Sequence, residues 1–175
     1  DLMTRYGFSE LCSGVLHNRL QIVGGNPDNL FKRVLHNLHN PFLLNDMDLA
    51  VERIERAIMK GEKITVFGDY DADGVTSTSI LYMFLKENGA DVDFYIPNRF
   101  TDGYGMNVDS VKRIAENSTR LIITVDNGIA AFDEIEYAKS LGMDVIVTDH
   151  HECPERLPHC CAVINPKRKD STYPF

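Results

Sequence analysis

From Lys63 onward the chain repeats one pattern of short apolar run, turn and helical stretch, and that repetition restricts the fold more than any other feature. Lys63–Phe67, Val92–Ile96, Leu121–Val125 and Asp144–Thr148 read as strands, and Ala162–Ile164 as a short last one. Leu121–Val125 is almost wholly apolar rather than alternating, as a strand buried on both faces should be. Between them, Val75–Asn88, Val108–Asn117 and a stretch through Phe132, Ile135, Ala138 and Leu141 carry apolar residues at helical spacing, and Gly89 and Gly142 stop two of them. Such an alternation implies a doubly wound α/β fold, a mostly parallel sheet covered on both faces. Upstream, Met47, Ala50, Val51, Ile54, Ala57 and Ile58 predict a helix over 46–60, with Asn45 or Asp46 as N-cap and Glu52, Arg53, Glu55 and Arg56 on its wet face. Residues 9–20 and 28–38 read as shorter helices around the Gly24-Gly25-Asn26-Pro27 loop.

Composition divides the chain at the same place. Residues 1–60 hold seven basic and seven acidic side chains, whereas 61–175 hold 11 basic and 19 acidic, so the whole net charge of −8 lies in the second part. The expectation is a helical N-terminal lead-in over 1–60 and a sheet domain over 61–175. At 43% hydrophobic and 25% charged, the 175 residues suit one globular core. No apolar run nears the roughly 20 residues of a membrane span, and no signal peptide opens the chain. Four cysteines (Cys12, Cys153, Cys160, Cys161) without a CxxC pair point to a reducing cytoplasm. The acidity argues against a protein that simply coats nucleic acid.

Ligands of an open parallel sheet bind outside the carboxyl ends of its strands, and three strand ends here are acidic. Gly68-Asp69-Tyr70-Asp71-Ala72-Asp73-Gly74 follows the first strand, Asp126-Asn127-Gly128 the third and Asp149-His150-His151 the fourth. The second strand leads into Pro97-Asn98-Arg99, a position suited to a phosphate contact, with arginine able to bind bidentately. Carboxylates 4 Å apart repel by about 4 kcal/mol at an effective dielectric of about 20, so such a cluster takes up protons, stays apart or binds cations. An oxygen majority with some imidazole favours Mn²⁺ or Mg²⁺ over Zn²⁺. There are ligands enough for two ions, and Asp126, on a central strand, is the natural bridge between them.

Other readings fit less of the pattern. Asp69, Asp71, Asp73 and Gly74 match the start of a calcium-binding EF-hand loop, but Ile80 stands where its glutamate should be, and a strand, not a helix, precedes it. Receiver domains and aspartyl-nucleophile phosphatases leave His150-His151 unexplained. Cys153, His159, Cys160 and Cys161 could be read as a zinc cluster, though no CxxC spacing supports it.

The three acidic segments resemble motifs I, II and III of the DHH phosphoesterase superfamily. Thr76-Ser77-Thr78-Ser79, Ile96-Pro97-Asn98-Arg99-Phe100 with Gly103-Tyr104-Gly105, Val163-Ile164-Asn165-Pro166-Lys167-Arg168 and Asn40–Met47 narrow the resemblance to its single-strand-specific 5′→3′ DNA exonucleases. It covers about residues 28–175. The resemblance implies that Asp71 and Asp73 each hold a different metal ion, that Asp126 bridges the two, and that His150 is a further ligand. Asp69 joins this set as the extra aspartate of that branch, while Phe67 stands where the superfamily at large has a histidine. His151 would face the substrate phosphate, and Asp149 would orient the imidazoles.

The implied activity is metal-assisted, in-line phosphodiester hydrolysis that releases 5′-mononucleotides from single-stranded DNA in repair and recombination, with a helicase and a single-strand-binding protein as partners and no membrane. Two alternatives stay open: a DHH phosphodiesterase acting on short RNA or cyclic dinucleotides, and a non-catalytic DHH scaffold. The superfamily's fourth motif and its C-terminal substrate domain have no counterpart before Phe175, so the expectation is an N-terminal fragment whose DHH domain is incomplete. Five of the negative charges are then Asp69, Asp71, Asp73, Asp126 and Asp149, to be offset by the two ions, and the remainder of −3 includes a basic stretch at Lys167-Arg168-Lys169.

Overall fold

The computed structural model describes residues 2–23, 26–28, 38–103 and 105–174. Most of the helix expected over 28–38 lies outside the described residues, as does Tyr104. The chain forms two compact units, Asp1–Asn40 and Pro41–Phe175. In the first, α1 (Leu2–Tyr6) precedes α2 (Glu10–Val23), and both Arg5 and Tyr6 donate to the Asp28 carboxylate.

The second unit is the sheet. A 3-10 turn (Pro41–Leu43) and α3 (Met47–Lys60) lead into β1 (Lys63–Phe67), α4 (Ala72–Glu87), β2 (Val92–Tyr95), α5 (Val108–Glu116), β3 (Thr119–Val125), α6 (Phe132–Ser140), β4 (Asp144–Thr148) and β5 (Ala162–Ile164). The five strands are all parallel, in the order β2-β1-β3-β4-β5. This is the doubly wound α/β fold that the alternation of elements predicts.

Alternation along the strands divides the core in two. Ile64, Val66, Leu121, Ile123, Val125, Ile146 and Ile164 face one way and pack with Ala50 and Ala57 of α3 and Leu85 of α4. Phe67, Ile122, Val145, Val147 and Val163 face the other way, against Val111 and Ile114 of α5 and Ile135 and Ala138 of α6. With both faces covered, every position of β3 except Arg120 is buried, which is why its sequence does not alternate. The chain moves from β1 out to β2, then crosses back to β3 and on to β4 and β5. The order therefore reverses between β1 and β3, the place where such sheets open a crevice for ligands.

The boundary expected at residue 60 moves to Pro41. Ala50, Arg53 and Ala57 of α3 are buried, with Arg53 Nε donating to Asp144 at 2.6 Å and Nη2 to Glu62 at 2.7 Å, so this helix belongs to the sheet unit despite its balanced charge. Asp46 does stand at the N-cap of α3, but in the left-handed region at φ 61° and without a side-chain cap. Its carboxylate accepts instead from Arg168 Nη1 at 2.7 Å and from the Val163 amide at 3.1 Å. No helix among the described residues is long and apolar enough to cross a membrane.

Candidate metal centre

Register brings the acidic residues level. Phe67 pairs with Thr124, Val125 with Thr148, and Thr148 with Ile164. The positions just past the ladder are therefore Asp69, Asp126, Asp149 and Asn165, side by side on four adjacent strands. Asp126 N–H donates to Thr148 O and Asp149 N–H to Ile164 O, both at 3.0 Å, so the row continues the sheet's own hydrogen bonding. Asp126 then turns the chain at φ 63°, a left-handed conformation that few residues other than glycine adopt without strain.

Asp126, His150 and His151 form the one group of metal-type donors among the described residues whose ligand atoms all lie within 4.8 Å of one another. His150 Nε2 is 2.7 Å from Asp126 Oδ1. Burial pushes the Asp126 carboxyl up from its usual range; the bond to His150 opposes this and the nearby charge of Asp71 adds to it. His151 is held by Asp149: Oδ1 accepts the His151 amide at 3.0 Å, the His150 amide at 2.7 Å and lies 2.7 Å from His151 Nδ1, while Oδ2 accepts the Ile129 amide at 3.0 Å. That bond raises the His151 pKa; burial opposes it, the charges of Asp149 and Asp126 reinforce it, and Lys167 lowers it.

The β1–α4 loop supplies the other wall. Asp71 is the N-cap of α4, its Oδ1 accepting the Gly74 amide at 2.9 Å. Gly74 has to be glycine, because a Cβ there would sit 2.6 Å from both the backbone nitrogen and the backbone oxygen of Asp69. Asp73 lines an open cleft of about 540 Å³ together with Asp126, Asp149 and His150. Asp69 is fully buried, and neither of its carboxylate oxygens has a hydrogen-bond partner. A buried acceptor pair with no donor calls for a cation or a proton, and with the mixed oxygen and nitrogen donors nearby it suits a divalent ion.

Other predicted residues sit apart from this group. Asn98 uses its side-chain oxygen to accept the Phe100 amide at 2.9 Å, and its own amide donates to Asp102 at 3.0 Å, so it shapes the loop after β2. Arg99 lies over Tyr70, 5.5 Å from the ring centroid, which joins the β2 loop to the β1–α4 loop. The cysteines do not converge: Cys160 packs on the α5–α6 side of the sheet and Cys161 on the α3–α4 side, and burial pushes the Cys160 thiol up to about 11.

Sequence reasoning passed over two buried asparagines. Asn165 Nδ2 donates to the His151 carbonyl at 3.0 Å, and Asn127 Nδ2 donates to Val125 O at 2.9 Å and Phe67 O at 3.2 Å, tying the ends of β1 and β3 together. The rule that pointed to Asp126 and Asp149, a polar residue directly behind an apolar strand, points equally to Asn165.

Residues 63–172 match the sequence profile of the DHH family, N-terminal domain, and the chain belongs to this family. Within it, the chain is 52% identical over 137 residues to the single-stranded-DNA-specific exonuclease RecJ of Bacillus subtilis (strain 168), an alignment covering 78% of this chain and 17% of that protein. It is 42% identical over 132 residues to RecJ of Escherichia coli (strain K12), covering 75% and 23%. The crystal structure of exonuclease RecJ bound to manganese superposes with a TM-score of 0.70 at 37% identity, covering 76% of this chain and 34% of that one. The chain thus spans about a fifth of the length of these curated relatives.

Proposed function

We propose that this chain is the metal-binding part of a single-strand-specific DNA exonuclease, which hydrolyses phosphodiesters from a 5′ end and releases 5′-mononucleotides in DNA repair and recombination. The observation that carries the reading is the meeting of Asp126, His150 and His151 within 4.8 Å at the carboxyl ends of β3 and β4, in a chain 52% identical to such an exonuclease over 137 residues. Asp71, Asp73, Asp126 and His150, with Asp69 buried on the same level, would hold two Mn²⁺ or Mg²⁺ ions. Bound there, the ions supply Lewis-acid polarisation of the phosphoryl group and bring the pKa of water into the neutral range. His151, oriented through Nδ1 by Asp149, is assigned to a non-bridging phosphate oxygen, where its raised pKa favours the donating imidazolium. Arg99 offers its planar fork to a neighbouring phosphate, on a loop shaped by Asn98. Single-strand restriction calls for a helicase to open duplex DNA and a single-strand-binding protein to keep it open, and these tasks belong in the cytoplasm.

The test is Mn²⁺-dependent release of mononucleotides from a 5′-labelled single-stranded oligonucleotide, with duplex DNA, short RNA and a cyclic dinucleotide as competitors for the assignment. In the complete enzyme, Asp126→Ala and His150→Ala should each remove orders of magnitude of turnover with the fold intact. Near-normal turnover in either variant, or a preference for the cyclic dinucleotide, would sink the reading.

A further inference from the structure

The basic stretch after β5 is not one patch. Arg168 is consumed by the fold: its side chain is 8% exposed, and it donates to Asp46, Asp170 and the Val163 carbonyl. Lys167 is different. Its backbone amide donates to Asn165 Oδ1 at 2.8 Å, and Asn165 Nδ2 donates to the His151 carbonyl at 3.0 Å, so Lys167 is tethered to the histidine segment of the site. Its side chain is 46% exposed, and Nζ lies 2.9 Å from Glu152, the residue after His151, whose side chain is 86% exposed. Its charge also reaches His151, where it opposes protonation.

We propose that Lys167 is a phosphate-contact residue on the β5 side of the centre, so that a bound strand crosses the carboxyl edge of the sheet between Arg99 and Lys167. This rests on the single-strand reading above. The strand order puts Arg99, after β2, at one edge, Lys167, after β5, at the other, and the aspartates between them. Four strand spacings of about 4.8 Å separate the edges by roughly 19 Å, wider than one nucleotide and suited to an extended polyanion. Where carboxylates line the centre, cations on both flanks add attraction for the phosphates on either side of the one held there. The pair with Glu152 is solvent-exposed and contributes little, so Lys167 can exchange that partner for a phosphate with small loss. A flexible ammonium serves as a point charge for a phosphate, where the fixed fork of Arg99 selects geometry.

Fluorescence anisotropy with a 5′-phosphorylated oligothymidylate, with Ca²⁺ replacing the catalytic ion, tests this across a salt series. Lys167→Ala is expected to weaken binding roughly three- to tenfold and to reduce the magnitude of the log–log salt slope by about 0.7, the share of one single-strand phosphate contact. Lys167→Arg should restore most of both. Glu152→Gln should tighten binding more in the wild-type background than alongside Lys167→Ala. Calorimetry with Mn²⁺ should give wild-type affinity for every variant, showing an intact centre. If the full-length wild-type protein binds the oligonucleotide and Lys167→Ala leaves affinity and slope unchanged, the Lys167 assignment is overturned alone. If the full-length wild-type protein does not bind it, the single-strand reading falls and takes this assignment with it.

Discussion

Asp149→Asn keeps the shape of the side chain and removes only its charge and one acceptor. Asp149 Oδ1 serves the amides of His150 and His151 and the His151 ring, and Oδ2 serves the Ile129 amide, all within 2.7–3.0 Å, in a side chain 1% exposed. Asparagine has a single oxygen. If that oxygen stays with the histidines, its NH₂ meets the Ile129 N–H donor to donor; if it flips, three bonds are lost instead of one. The first arrangement leaves one buried donor unsatisfied, which costs about 1–3 kcal/mol, and weakens bonds that were charge-assisted. The sum is a loss of about 2–4 kcal/mol, to be read from urea unfolding of the metal-free protein. The loss depends on pH in a known direction. His151 is held above its ordinary value by the bond to Asp149, so its contribution is complete below the unfolded-state pKa of about 6.5 and is lost as pH rises through the folded value. The difference between wild type and variant should therefore narrow as pH rises above about 6.5 and through the raised folded value. With the imidazole 47% exposed, this pH-dependent share is the smaller part. A loss under about 0.5 kcal/mol, with His151 titrating by NMR as in the wild type, would refute the view that Asp149 organises the histidine segment.

Three further predictions follow from the same geometry. Burial holds the Asp126 carboxyl above its usual range, and a carboxyl raised in this way weighs against the fold once pH passes its folded value. Asp126→Asn, which tolerates φ 63°, should thus raise the urea midpoint of the metal-free protein near neutral pH. Mn²⁺ at a hundred times its Kd should add about 2.7 kcal/mol to the wild type and nothing to this variant; a variant stabilised equally by Mn²⁺ would remove Asp126 from the ligand set. Gly74→Ala drives a Cβ into the Asp69 backbone and should cost about 1–3 kcal/mol in spite of alanine's better helix propensity. Gly14→Ala, in open space on α2, should be neutral or gain up to about 1 kcal/mol, and thermal melts compare the two. Arg168→Met keeps the apolar stem but leaves Asp46 and the Val163 carbonyl without their guanidinium, for a loss of about 2 kcal/mol. Arg168→Lys should recover less than half of it in the same urea assay, because one ammonium cannot span both carboxylates and the carbonyl.

The strands were legible because they are short, apolar and bounded by turns: β1, β4 and β5 match the expected runs residue for residue, and β3 begins only two residues early at Thr119. What escaped the sequence depends on contacts between distant residues or on side chains with two tasks. Asp71 reads as a ligand, yet it also caps α4, which is why that helix begins at Ala72 rather than at Val75. Asp46 reads as a cap, yet its carboxylate is taken by Arg168, 122 residues away. Nothing local in Arg53 announces a buried guanidinium shared by Glu62 and Asp144, and without that contact α3 looks like a separate strut. The acidic positions at the site were visible one by one, but their alignment was not. It follows from the parallel register, which sets Asp69, Asp126, Asp149 and Asn165 in a single row.

That row also changes how the charge of −8 bears on function. The three carboxylates in it are all buried, and each is stabilised differently. Asp149 has four donors, Asp126 has His150, and Asp69 has none. Burial pushes the Asp126 carboxyl up, and Asp69 keeps both of its oxygens buried without a donor. The fold nevertheless holds Asp126 and Asp149 level through backbone hydrogen bonds that do not depend on their charge. A row set in place by the sheet itself is what the proposed metal centre requires, since bound cations would supply the partners that Asp69 lacks. On the proposed reading the ions let the middle of the site accept the scissile phosphate, and Arg99 and Lys167, at the two edges of the sheet, would hold the phosphates on either side.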